Sequence, residues 1–134
     1  MKKLVIVGNS HLRYYAQALK QDGTFDVNHM RISEVFDFVA KHGKDIAVVI
    51  CELWAEHGKE LDSKETRDKE LTGAILTEKL LPLCPHATFF VFGADSLPRL
   101  KNKMRVIPLQ VCINTTISEL VDVVNRNTTT KGKL

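Results

Sequence analysis

Apolar runs alternate with helical patterns along most of the chain. Leu4-Val5-Ile6-Val7 is a largely β-branched run bounded by Gly8, the pattern of a buried strand. Ser10 stands where a helix cap is needed, and Leu12, Tyr15, Ala16 and Leu19 then recur at helical spacing until Asp22-Gly23 stops the segment. Phe25 to Met30 alternates as a short strand. Ser33 opens a helix with Val35, Phe38 and Val39 on its apolar face, and Gly43 closes it. Ile46 to Ile50 is the most apolar strand, as a sheet covered on both faces demands, and is expected at the centre.

The residues from Glu56 to Lys69 carry both charge signs and almost no apolar side chain, which predicts a solvated loop or an exposed helix start. Leu71, Ile75, Leu76, Leu80 and Leu81 form the next helix, ended by Pro82, and Ala87 to Phe92 is the fourth strand, followed by the turn Gly93-Ala94-Asp95-Ser96. After a short helix, Arg105 to Ile113 reads as a last strand; Pro108 cannot donate a ladder hydrogen bond and therefore places it at a sheet edge. Thr116 to Glu119 fits a capping box for a final helix bearing Ile117, Leu120, Val121 and Val124, and the residues from Asn125 onward lack a packing pattern. Five strands alternating with helices predict a three-layer α/β/α doubly wound parallel sheet of order 2-1-3-4-5, because each crossover is right-handed and covers a face. One domain over residues 1–126 and a flexible tail over 127–134 account for the chain.

Composition narrows the class. With 44% hydrophobic and 26% charged residues, disordered, collagen-like and disulfide-scaffold proteins are excluded. A net charge of +3 is mild for a protein that lives on phosphate backbones, so nucleic acid is not indicated. Cys51, Cys84 and Cys112 form no C-x-x-C pair and sit beside apolar residues, which predicts buried free thiols in a reducing compartment. The apolar run after Met1-Lys2-Lys3 is too short for a signal peptide or a membrane span. A cytoplasmic location is expected, and there the N-x-T sequons at Asn114 and Asn127 carry no meaning.

Order 2-1-3-4-5 puts the ligand crevice of an open sheet at the carboxyl ends of strands 1 and 3. Gly8, Asn9, Ser10 and His11, then Cys51 and Glu52, then Gly93 and Asp95 are expected to converge there. Gly8 and Ser10 serve either as turn glycine and helix cap or as an anion-binding and nucleophilic turn. Glu52 is a fixed negative charge at the mouth, and one carboxylate without acidic partners makes a poor Mg²⁺ site. Trp54 is either a packed plug or a partner-binding anchor, and His11 and His57 flank the crevice as solvated rings or general bases. Arg99, Lys101, Lys103 and Arg105 form a basic cluster without interleaved aromatic residues, which favours a solvated face. No cofactor and no metal are implied.

This element order resembles the receiver domain of bacterial response regulators, a flavodoxin-like fold, over residues 2–126. Val5 to Ser10 looks like the first strand and acidic pair, Asp45 to Leu53 like the strand of the phosphoacceptor aspartate, and Ile113 to Leu120 like the last strand-to-helix turn. The family's acidic pair falls on Gly8-Asn9, its phosphoacceptor on Glu52 or, with a one-residue shift, Cys51, its Ser/Thr on Gly93 and its Lys on Ile113. The resemblance therefore implies a pseudo-receiver: a phosphorylation-independent regulatory or protein-interaction domain with a protein partner, a second copy of the chain among the candidates, in which Glu52 imitates a permanently charged acceptor. A weaker resemblance is to SGNH/GDSL hydrolases, whose first block Gly8-Asn9-Ser10 looks like, with Ser10 as nucleophile and Leu97-Pro98-Arg99 after strand 4. A Gly-x-Asn-Asp block after strand 3 and an Asp-x-x-His block near the C-terminus are missing. A small anion or small-molecule binder at the same crevice is the third alternative.

Overall fold

In a computed structural model of the protein, the described residues are 2–8, 12–52, 59, 61–64, 72–92, 106–109 and 120–126. Four strands, β1 (Lys3–Val7), β2 (Asp26–Met30), β3 (Ile46–Glu52) and β4 (Thr88–Phe92), lie parallel in the order β2-β1-β3-β4. A further short strand, β5 (Val106–Leu109), runs parallel beside β4 with Pro108 opposite Val91. The expected α/β class with a parallel sheet is met, and β3 is the interior strand its apolar run demanded. The helices among the described residues are α1 (Arg13–Asp22), α2 (Ile32–His42), α3 (Thr72–Leu80) and α4, residues 120–126.

Period-two alternation in the strands sorts the core onto the two sides of the sheet. Val5, Val7, Val49, Cys51, Phe89 and Val91 pack with Val35 and Val39 of α2 and Ile75, Leu76 and Leu80 of α3. Leu4, Ile6, Val27, Val48, Ile50 and Phe90 pack with Leu12, Ala16 and Leu19 beneath α1 and with Leu120 and Val124 of α4. Strands β1 to β4 thus feed both clusters, which is why β1 and β3 read as continuous apolar runs.

Several boundaries differ from the sequence reading, each for a local reason. Helix α1 starts at Arg13 after Leu12, and Ser10 lies outside the described residues. Gly23 ends α1 as expected: at φ 79° it is left-handed, and its N–H reaches the Leu19 carbonyl. Helix α2 begins at Ile32 rather than Ser33, because the Glu34 carboxylate accepts from the Arg31 N–H at 3.2 Å and closes the first turn. Gly43 is not a left-handed stop; it keeps helical angles and enters a 3₁₀ turn, Gly43–Asp45, pressed against the backbone carbonyl of Leu83. Leu61 is buried with the α2–α3 cluster, so the charged stretch around it sends one apolar anchor into the core. Asn125 and Arg126 belong to α4 rather than to a frayed tail, and Asn125 Nδ2 donates to Asp22 at the end of α1, 3.0 Å away. That contact and the Thr24 hydroxyl hold the Asp22 carboxyl below its ordinary value.

Candidate functional site

The carboxyl ends of β1 and β3 form the site. Val7 pairs with Cys51, so Gly8 and Glu52 follow side by side as the strands leave the sheet. Continuing the alternation of Leu4 and Ile6 and of Val48 and Ile50, both residues belong to the face that α1 covers. Gly8 sits at φ 157°, and the space where a Cβ would stand is closed by Leu12 Cδ1, with Glu52 Oε1 at 3.0 Å and Leu12 Cγ at 3.4 Å. The Glu52 carboxylate therefore lies against the glycine at the base of the β1–α1 turn, and its Oε1 is buried. Only a residue without a side chain lets the carboxylate and the first leucine of the helical segment meet there.

Strand β2 holds Gly8 from the other side. The Gly8 N–H donates to the Met30 carbonyl at 3.3 Å, and the His29 ring meets the Gly8 carbonyl through Nε2 at 3.3 Å. His29 is half-buried and shares its face with Val27 and Phe25. Sequence reasoning missed it. The signal was present as a polar ring at a position where the alternation of β2 calls for an apolar side chain.

On the opposite face at the same level sits Cys51. Burial pushes its thiol up to about 12, with the nearby Cys84 and Glu52 acting in the same direction and the Thr77 hydroxyl against them. Such a thiol stays protonated and is a poor nucleophile. Cys51 and Cys84 are both buried and in no disulfide, as the sequence predicted, and Cys112 lies outside the described residues.

Of the predicted site residues, the structure brings Gly8 and Glu52 together. Asn9, Ser10, His11, Trp54, His57, Gly93 and Asp95 lie outside the described residues, as do the basic residues Arg99, Lys101, Lys103 and Arg105. Among the described residues no three His, Cys, Asp or Glu side chains gather as a metal site would require, and no helix is long and apolar enough to cross a membrane. Beyond the crevice, Tyr14 is the exposed aromatic of α1; the Arg13 guanidinium donates to its hydroxyl at 3.1 Å and lowers the phenol below its ordinary value. Compared with protein-family models, with curated proteins and with solved structures, the chain matches none.

Proposed function

We propose that this chain is a three-layer, doubly wound five-stranded α/β domain of receiver type that acts as a non-catalytic, phosphorylation-independent regulatory or protein-interaction domain in the cytoplasm. One observation carries the reading: the Glu52 carboxylate packs directly over Gly8 with Leu12 closing the same spot. A phosphotransfer centre needs room between the ends of these two strands for Mg²⁺ and a phosphoryl group, with acidic ligands on the first strand. Here the end of β1 offers a glycine, and the space above it is taken by side chains of the chain itself. What remains is a carboxylate in a fixed position at the strand end. A carboxyl group built into the chain at this position suits a module whose binding face does not wait for a phosphorylation signal.

The reading is tested by mass and by partner. Incubation with acetyl phosphate and Mg²⁺ is expected to leave the intact mass unchanged, and a phosphoryl adduct overturns it. A fluorophosphonate probe is expected to leave Ser10 unlabelled; labelling moves the chain to the serine-hydrolase reading. Affinity capture with the chain and its Glu52→Gln variant, with the retained protein identified, is expected to separate the two. Equal retention removes Glu52 from the interaction.

A further inference from the structure

We propose that His29 is a positioning residue of the crevice: it donates through Nε2 to the Gly8 carbonyl, and the proton taken up at its Nδ1 tightens that hold. A backbone carbonyl only accepts, so the 3.3 Å contact requires hydrogen on Nε2 and leaves Nδ1 as the ring's acceptor. Gly8 is then gripped by β2 at both of its polar atoms, its N–H on Met30 and its carbonyl on His29, each at 3.3 Å. Both contacts are at the long end for hydrogen bonds of this kind, so each has room to shorten. The grip acts on Gly8, against which Glu52 and Leu12 both pack, so the ring acts on the carboxylate through Gly8.

Protonation of Nδ1 leaves the Nε2 contact in place and turns it into a charge-assisted bond, about twice as strong as a neutral one. Among the described residues the titratable groups on the surrounding elements are these. Glu52 lies on the same face two strands away and two residues further along. Lys3 and Asp26 pair with each other at the far end of β1 and β2, at 2.8 Å. On α1, Arg13, Tyr14, Lys20 and Asp22 are exposed and Tyr15 is half-buried, and Arg31 and Glu34 at the start of α2 are exposed. The inference rests on the crevice being the working part of the domain, as in the reading above, and its test does not involve phosphoryl transfer or a partner.

The experiment is NMR on the full chain. Long-range ¹H–¹⁵N correlation spectra of the neutral ring are expected to give the Nε2–H tautomer for His29; an Nδ1–H tautomer overturns the proposal without any variant having to fold. Hydrogen exchange then reads the grip. His29→Ala is expected to lower the protection factor of the Gly8 amide about fivefold, the equivalent of about 1 kcal/mol, while His29→Gln, which keeps a donor, restores most of it. In the unaltered chain that protection factor is expected to rise about fivefold as the ring charges, and in His29→Gln to stay level. A pH-independent protection factor in the unaltered chain refutes the tightening even with the tautomer as expected.

Discussion

Gly8→Ala is the substitution that most directly probes the packing of the crevice. The new methyl group would meet Leu12 Cδ1, with Glu52 Oε1 at 3.0 Å and Leu12 Cγ at 3.4 Å. Overpacking of this kind costs about 1–3 kcal/mol. The backbone adds to it, since φ 157° is a conformation that side-chain-bearing residues rarely adopt and that costs about 1–3 kcal/mol to hold. Stiffening the unfolded chain returns about 0.4–1 kcal/mol. The net loss expected is about 3 kcal/mol, out of the roughly 5–15 kcal/mol that holds a typical domain together. Gly23→Ala is the matched control, because Gly23 also has positive φ, at 79°, but has nothing within 4 Å of its Cβ position. Urea unfolding of the two variants beside the parent measures the difference, and for Gly8→Ala the midpoint is expected to fall by about 1–2 M at unchanged slope. A Gly8→Ala variant no less stable than Gly23→Ala would show that Glu52 and Leu12 do not close over the glycine.

Three further outcomes follow from the core. Because the folded chain holds the Cys51 thiol up to about 12, above an ordinary value of 9.0, its contribution to stability is whole below about pH 9. It is lost as pH rises toward 12, by about 1.4 kcal/mol per pH unit, so about 1.4 kcal/mol is gone by pH 10; urea midpoints of the parent and Cys51→Ala between pH 7 and 10 check this, and parallel curves refute it. Gly43→Ala is expected to cost about 1–3 kcal/mol although its φ of −51° is ordinary, because the methyl group meets the Leu83 backbone, which cannot rotate aside; a thermal midpoint within 1 °C of the parent contradicts that contact. Leu61→Ala is expected to cost about 2–4 kcal/mol as a core truncation, whereas a loss under about 0.5 kcal/mol in urea unfolding would return Leu61 to a solvated loop.

What could be read from the sequence divides along the range of the interaction involved. The apolar run of β3, the alternation that sends Val48 and Ile50 one way and Val49 and Cys51 the other, and the left-handed glycine after α1 are local patterns, and each was legible. Glu52 was legible as a candidate for the same reason, being the first carboxylate after an unbroken apolar strand. Gly43 was read as a helix stop because a glycine after a helical pattern usually is one. Its actual constraint is Leu83, brought against it by the packing of α3 on the same sheet face as α2. Leu61 was masked by its charged neighbours, since one apolar residue has no period. Asn125 finds its partner Asp22 across 103 positions, which no window along the chain could anticipate.

The two faces of the sheet also divide the chemistry at its carboxyl edge. On the side of α2 and α3 the last strand residues are Val7 and Cys51, at 5% and 1% exposure, and above them α3 buries seven of its nine residues, Thr72 to Thr77 and Leu80. That side holds a thiol that burial keeps protonated, with the Thr77 hydroxyl of α3 as a polar neighbour. On the side of α1 the edge carries the glycine and the carboxylate side by side, with the imidazole of β2 two residues before them, opposite Ile6; the two ionisable groups are both only half-buried. Parallel strands end together, so the difference comes from the parity of each strand: Gly8, His29 and Glu52 all continue the α1-facing set, and a one-residue slip of β1 or β3 would bury the glycine or the carboxylate beneath α3 instead. The bulge that shifts register between Lys3 and Leu4, where Ala47 is passed over, is therefore part of the site: it lets β3 begin one residue out of step at the far end and still present Glu52 beside Gly8.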